Sequence, residues 1–461
     1  MDRDTAEPRV ETMPGSRAEE WRAYHEAMAA PSTHLYDFVW DLREPATGPF
    51  CTDIDGNVLL DFTSHVAASP LGYNHPDLRE RLEAFDLVDP MKIAGQDFYV
   101  SGGWPPDDPA FPGPSQLMDA LIEISEGMDT VFLANSGAEA VENAIKICYD
   151  YRDGAAYGVT FQGAFHGRTL GALSLNRSKA IHRRDFPEIP GITALPFCED
   201  RTCTPDTCSC GFFPDAGDSW LRRLLEPGTG AVDPDEVAYV IVEPIQGEGG
   251  YRIPSEAFMD ELADVTTERD VPLIADEIQS GMGRTGEWWA SEHYAIEPDV
   301  IAAGKALRVG ATVSRKRIFP DEKARLSSTW GAGDILSSLV GTLTIQVIDD
   351  LDLRDNAVKR GDQLVDRLLG ADIDHAVDVR GKGLMVAVEF DTKARRDAAM
   401  ECSLERGLLT LPCGHKTLRL LPPLDVRERE IEIGADLFVE AVGDRMVESA
   451  SPAQVTGDEA S

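Results

Sequence analysis

Three short segments of the 461-residue chain carry side chains whose chemistry depends on where they are placed. Ile301-Ala302-Ala303-Gly304-Lys305-Ala306 is an apolar run that ends in a lone lysine. An amine stripped of water by its neighbours can lose its proton and attack a carbonyl. On a surface the same lysine would only lay its stem over apolar neighbours and keep its charge in water. Leu273-Ile274-Ala275-Asp276-Glu277-Ile278-Gln279-Ser280-Gly281 is a second apolar run, ending in acids. Ligands of open α/β sheets sit beyond the carboxyl ends of the strands, so Asp276 points where chemistry would occur, although a structural acid capping the next segment is the plainer alternative. Asn135-Ser136-Gly137-Ala138-Glu139-Ala140 follows a short strand and opens a helix, and unpaired backbone N–H groups at such a start suit a phosphate. Ser136 with Glu139 three residues later is equally a capping box.

Jointly these pieces constrain one another. A phosphate seat, a carboxylate and an amine on strand ends are what pyridoxal phosphate requires: an anchor, a proton-holding partner for the pyridine nitrogen, and a lysine to form a Schiff base.

The elements that must position them are readable as a pattern. Apolar, β-rich runs recur at Val131 to Leu133, Tyr157 to Phe161, Val237 to Val242, Val271 to Ala275 and Val300 to Ala302, several of them separated by helical periodicity. That alternation predicts an α/β domain on a largely parallel sheet. Val141, Ala144, Ile145, Cys148 and Tyr151 supply the buried face of the helix after Ser136. The C-terminal third changes character: helical stretches at Ile335 to Asp350 and Ala357 to Leu369 precede strand-like segments at Leu384 to Phe390 and Leu418 to Leu421, predicting a smaller α+β domain.

Composition bounds the class. The chain carries 81 acidic against 43 basic residues, a formal net charge of −38, and only 10 of the basic residues are lysine. Such a surface repels nucleic acid and anionic membranes, and is typical of proteins working in concentrated salt, where counterions screen the self-repulsion. There is no 18-residue apolar run, and the start MDRDTAEPRVETMPGSRAEEW has no leader-like apolar stretch, so a cytoplasmic protein is expected.

The chain resembles the class III (subgroup II, ω-amino acid) aminotransferases, pyridoxal-phosphate enzymes of fold type I. The resemblance runs from about residue 37 to about residue 427. It rests on NSGAEA at 135–140, GAFHGRTLGALS at 163–174, VEPIQGEGG at 242–250, ADEIQSGMGRTG at 275–286, AAGKA at 302–306 and SSTWGAGD at 327–334. It implies an aspartate-aminotransferase-like fold. Residues 1–75 would join the small domain, 76–345 would form the large domain on a mainly parallel seven-stranded sheet, 346–448 the small domain, and 449–461 a disordered tail.

The same resemblance assigns roles. Lys305 would hold the cofactor and then act as general base and acid. Asp276 would pair with the pyridine nitrogen, Phe165 would stack on the ring, Gln279 would meet its hydroxyl, and Ser136, Gly137 and Ala138 would hold the phosphate. Thr329 would reach the phosphate of a neighbouring subunit, implying a homodimer with composite sites. Arg168 would bind a substrate carboxylate. Glu248 and Arg419 would form a pair that is closed for an ω-amine donor and opens for the second carboxylate of glutamate, or else a buried salt bridge that never opens. Glu243 would orient the cofactor region.

The stretch Phe62 to Asn74 looks most like that of L-lysine 6-aminotransferases, and Val66 falls where ornithine-specific relatives carry a tyrosine. The expected reaction moves the 6-amino group of L-lysine to 2-oxoglutarate. Ser327 departs from the asparagine of the lysine enzymes, and 4-aminobutyrate or acetylornithine transfer, or amino acid racemisation, remain on the same scaffold.

Cys198, Cys203, Cys208 and Cys210 cluster in an apparent insertion. Clustered thiols raise a structural zinc or iron–sulfur site, yet the spacing does not fit a common CxxC pair, and free thiols in a variable loop are the first reading. Cys51, Cys148, Cys402 and Cys413 are scattered and read as small hydrophobes. The charge balance yields the first test: the melting temperature should rise by several degrees between dilute buffer and molar KCl, and a flat response would mark an ordinary acidic protein.

Overall fold

The computed structural model describes residues 1–33, 36–85, 96, 102–214 and 217–445, so the tail expected over 449–461 lies outside them. Seven strands form the central sheet in the order Thr130–Ala134, Gly310–Ser314, Val300–Ala303, Leu273–Asp276, Val237–Val242, Tyr157–Phe161, Ile192–Leu195. Gly310–Ser314 runs antiparallel to both its neighbours; every other adjacent pair is parallel.

The three strands Val300–Ala303, Leu273–Asp276 and Val237–Val242 are buried at every residue. Apart from Asp276 at the end of its strand they are wholly apolar, as being covered on both faces requires. Along Val237–Val242 the side chains divide as the pleat demands: Val240 and Val242 enter one layer with Phe258, Leu262 and Val265, while Tyr239 and Ile241 enter the other with Val141 and Ala144. The helices Glu256–Glu268 and Gly137–Tyr151 supply those two layers.

A second sheet, Ala376–Lys382, Met385–Phe390, Thr417–Leu420 and Leu411–Cys413, is wholly antiparallel. The N-terminal chain is stitched to this C-terminal third: Leu408–Leu409 pairs in parallel with Val58–Asp61, which pairs antiparallel with Phe50–Thr52. Arg3 adds ion pairs to Asp425 at 2.5 Å and Glu430 at 2.6 Å.

The helix over Ile335–Asp350 falls where the periodicity places it, and the next runs Leu353–Gly370, starting one turn before Ala357. The strand expected from Val271 begins at Leu273, because Pro272 has no N–H to give; its carbonyl instead accepts from Val240 N–H at 2.9 Å. Ile192–Leu195 and the reversed Gly310–Ser314 were not among the expected strands.

Gly310 passes so close to the start of helix Gly137–Tyr151 that an added Cβ would sit 2.1 Å from the Ser136 carbonyl oxygen. An added Cβ on Gly370, on the last turn of its helix, would meet no atom of the described residues within 4 Å. The two should therefore respond to alanine with opposite sign in a thermal-unfolding comparison. Gly310→Ala should destabilise by about 1–3 kcal/mol, as overpacking does. Gly370→Ala should stabilise by about 0.5–1 kcal/mol through chain entropy. A neutral Gly310→Ala would contradict the close approach.

Candidate active site

The chemistry-bearing side chains gather beyond the carboxyl ends of the central strands. Glu243 follows Val237–Val242 directly, Asp276 is the last residue of Leu273–Asp276, and Lys305 comes two residues after Val300–Ala303. Phe165 and His166 lie in the turn after Tyr157–Phe161, and Ser136 lies two residues after Thr130–Ala134.

Asp276 is buried, with Oδ2 2.7 Å from His166 Nδ1 and Oδ1 accepting the Ile278 N–H at 3.1 Å. The sequence reading did not single out His166, although it stands inside the GAFHGRTLGALS segment. Its Nε2 is buried with no hydrogen-bond partner among the described residues. Glu243 accepts from Phe165 N–H at 2.9 Å and Gly247 N–H at 3.0 Å, tying the turn under the Phe165 ring to the 243–250 loop. Burial pushes the Glu243 carboxyl up to about 7, with the Asp276 charge adding to the rise and His166 opposing it.

Lys305 begins a short 3₁₀ turn, with φ at 47° in the left-handed region. Burial lowers its pKa to about 8, assisted by the Arg419 charge and opposed by Glu248, Asp276 and Glu243. An amine so placed is substantially unprotonated in weakly alkaline solution and able to act as a nucleophile.

At the helix start, Ser136 Oγ accepts Glu139 N–H at 3.2 Å and Glu139 Oε2 accepts Asn135 N–H at 2.6 Å. The Ser136 cap is thus realised, while the Glu139 carboxylate reaches one residue past it to Asn135, so the reciprocal half of the capping box is not formed; the N–H groups of Gly137 and Ala138 have no acceptor within the helix. Gly304 packs against this start: its added Cβ would lie 3.1 Å from Gly137 Cα, so the lysine-bearing turn and the helix start are in contact. Thr329 Oγ1 accepts from Asn135 Nδ2 at 2.9 Å and donates to Glu139 Oε1 at 3.1 Å, both of its own chain.

Farther out, Arg168 is exposed and its guanidinium lies 5.6 Å from the centroid of the Phe165 ring. Glu248 Oε1 pairs with Arg419 Nη2 at 2.6 Å, and its other oxygen is 3.8 Å from Lys179 Nζ, a cation the sequence reading did not pick out. Burial works against the charge of Glu248, but Arg419 and then Lys179 hold its carboxyl below the usual range. Arg419 also donates to Gln279 Oε1 at 3.2 Å, while its buried Nε has no hydrogen-bond partner among the described residues.

Val66 sits in a turn where Ser64, His65, Val66 and Ala67 all have φ between 43° and 66°. Four successive non-glycine residues in the left-handed region carry strain, most of all a β-branched valine. The Ser64 hydroxyl fastens the turn to the Leu421 carbonyl at 2.7 Å, and Val66 packs on the cluster containing Ile245 and Tyr251.

These groups fit a phosphate-bearing pyridine aldehyde. Asp276 is a buried acceptor for a ring nitrogen, Lys305 a half-buried lysine whose amine has a lowered pKa, and the helix start offers N–H groups that the helix itself does not use. Away from this site, the sulfurs of Cys198, Cys203 and Cys210 lie within 4.8 Å of one another. Among the described residues no helix is long and apolar enough to cross a membrane.

Comparison with known proteins agrees with the geometry. The family model Aminotransferase class-III matches residues 39–442. An acetylornithine aminotransferase of Methanopyrus kandleri is 32% identical over 393 residues, covering 84% of this chain and 90% of that protein. An alanine/serine racemase of Pyrococcus horikoshii is 30% identical over 423 residues, covering 87% and 85%. A solved lysine aminotransferase of M. tuberculosis superposes with a TM-score of 0.79 at 28% identity, covering 94% of this chain and 99% of that one. With a lysine, an aspartate and a helix start converging on the ends of a mainly parallel sheet, the chain belongs to the class III aminotransferases, enzymes that depend on pyridoxal phosphate.

Proposed function

We propose that the enzyme transfers the 6-amino group of L-lysine to 2-oxoglutarate, giving a semialdehyde and L-glutamate. The observation that carries this reading is the Glu248–Arg419 ion pair at 2.6 Å beside the lysine-bearing turn. A site that must accept an ω-amine end in one half-reaction and a second carboxylate in the other needs a cation that can be masked and unmasked. Arg419 with Glu248 over it is such a device. The likeness to the M. tuberculosis lysine aminotransferase supports the donor, as does Val66 in place of a bulkier aromatic residue.

When bound, pyridoxal phosphate supplies the aldehyde that takes up the donor nitrogen and the electron sink that lets a neighbouring C–H proton leave. Lys305 would hold the aldehyde through its amine and, once freed by the donor, would take and return the proton at the substrate carbon. Asp276 would pair with the ring nitrogen, and His166 holds Asp276 in place by its 2.7 Å contact. Glu243 fixes the backbone beneath Phe165, which would stack on the ring. Ser136, Gly137 and Ala138 would hold the phosphate through the helix start, Gln279 would address the ring hydroxyl, and Arg168 would take the carboxylate common to donor and acceptor. Thr329 would reach the phosphate of a neighbouring subunit, which makes a homodimer with composite sites the expected working unit.

A second reading, racemisation, is favoured by the likeness to the alanine/serine racemase. Amino-group transfer requires 2-oxoglutarate for repeated turnover and yields glutamate; racemisation requires neither. Conversion of the enzyme's visible absorption by L-lysine, and not by L-ornithine, 4-aminobutyrate or acetylornithine, with glutamate then formed from 2-oxoglutarate, is the expected outcome. Inversion of an amino acid without glutamate formation would overturn it.

Removing the masked cation should separate the two half-reactions. Arg419→Ala should lower kcat/KM for 2-oxoglutarate by about 10- to 100-fold, the worth of a hydrogen bond to a charged group, with a smaller effect on the L-lysine half-reaction. Equal losses in both would leave only a structural salt bridge.

The position of Lys305 predicts a pH dependence. Because its folded pKa lies near 8, below the ordinary lysine value of 10.5, the free amine becomes available as pH rises through about 8. Capture of added pyridoxal phosphate by cofactor-stripped enzyme should accelerate through that range and be absent in Lys305→Ala. The stability linkage has the same sign: the cost of the buried cation is fully present below about pH 8 and is relieved as pH rises towards the unfolded value.

A further inference from the structure

We propose that Cys198, Cys203, Cys208 and Cys210 form a tetrahedral four-thiolate site for one zinc ion, which pins the long loop between the strand Ile192–Leu195 and the helix Trp220–Leu224. In sequence the four residues do not have the spacing of a paired CxxC motif, but the loop folds back on itself and brings them together. Cys198, Cys203 and Cys210 place their sulfurs within 4.8 Å of one another, with Cys203 and Cys210 3.8 Å apart. Cys208 Sγ lies 3.2 Å from Cys210 Sγ but outside the set of three, so it is the ligand that would swing inward to close the tetrahedron.

A tetrahedron with Zn–S bonds of about 2.3 Å has sulfur–sulfur edges of about 3.8 Å, so the Cys203–Cys210 edge already has the required length and the Cys208–Cys210 edge needs to open by roughly half an ångström. An iron–sulfur cube places irons and sulfides between its cysteines and holds them farther apart, which this cluster does not match.

The surroundings are those of a thiolate site. Phe213 N–H donates to Cys208 Sγ at 3.4 Å. Cys198 Sγ is 3.5 Å from the hydroxyl of Ser255, the N-cap of helix Glu256–Glu268, where the helix dipole favours negative charge. Phe197, Phe212 and Phe213 close around the buried Cys198 and Cys203, a dry shell of the kind that protects metal–thiolate bonds. Zinc binding would displace the thiol protons to solvent, with no change of oxidation state.

The loop also needs such a pin. No helix or strand is assigned among the described residues between Leu195 and Trp220. Segments of that length without secondary structure are uncommon in compact domains unless something ties them. The anchored end matters to the active site, because Arg252, four residues after Glu248, ion-pairs with Glu199 at 3.0 Å beside Cys198.

The test uses the full-length enzyme expressed with zinc and purified without chelators. Elemental analysis should find about one zinc per chain. Titration of thiols with an organomercurial should release that zinc in step with the blocking of four cysteines. Cobalt(II) in place of zinc should show the visible bands and sulfur-to-metal charge transfer of a tetrahedral thiolate site. Cys203→Ser and Cys210→Ser should lose the metal and melt at lower temperature, whereas Cys402→Ser should keep it. Should a serine variant fail to fold, the mercurial and cobalt measurements on the wild-type enzyme still decide. Substoichiometric zinc after reconstitution under reductant, or peptide mapping that finds two of the four cysteines joined as a disulfide in the purified enzyme, would overturn the proposal.

Discussion

Burying an ammonium group costs several kcal/mol unless opposite charge surrounds it, and the active end of this enzyme is organised around that cost. Lys305 is pulled in two directions. Burial and Arg419 favour the neutral amine, while Glu248, Asp276 and Glu243 favour the cation. The balance near pH 8 depends on each neighbour being held by something else: Asp276 by His166, Glu243 by two backbone N–H groups, and Glu248 by Arg419 and Lys179. Removing any one anchor alters the charge felt by the lysine without touching it.

The sheet makes this possible. Strands buried at every residue bring their carboxyl ends to one edge, and the residues that follow them emerge together whatever their separation in sequence. His166 and Asp276 meet across 110 positions. The reversed strand Gly310–Ser314 serves the same end: it slides beneath Ser136 closely enough to exclude a side chain, and so holds the helix start against the turn bearing Lys305.

Much of this was legible in the residues themselves. Lys305, Asp276 and the Ser136-Gly137-Ala138 helix start announce themselves because each is a local signal: an apolar strand, then a polar residue of the right type, or a cap, then a periodic helix. The mainly parallel sheet followed from alternating apolar runs. What stayed hidden depends on contacts between distant segments. Nothing near His166 in the chain indicates an aspartate partner, and nothing near Lys179 indicates Glu248. The reversal of Gly310–Ser314 has no local mark, since apolar alternation is blind to strand direction. The meeting of Cys198, Cys203 and Cys210 was hidden for a related reason: spacing rules describe residues brought together by tight turns, whereas here a longer loop packed with aromatic side chains brings the three sulfurs within 4.8 Å.

The left-handed turn at Ser64–Ala67 has a bearing on how this enzyme could change over evolutionary or laboratory time. Each L-residue there forgoes roughly 1–2 kcal/mol relative to a right-handed conformation, and glycine would be free of that penalty. A search for heat-resistant variants that scored stability alone would therefore be drawn to these four positions and fill them with glycine. The packing of Val66 on the cluster containing Ile245 and Tyr251 would go with the strain. Whatever that contact holds in place beside the 243–250 loop would then be lost, so the turn sets robustness of the backbone against precision of the packing around it.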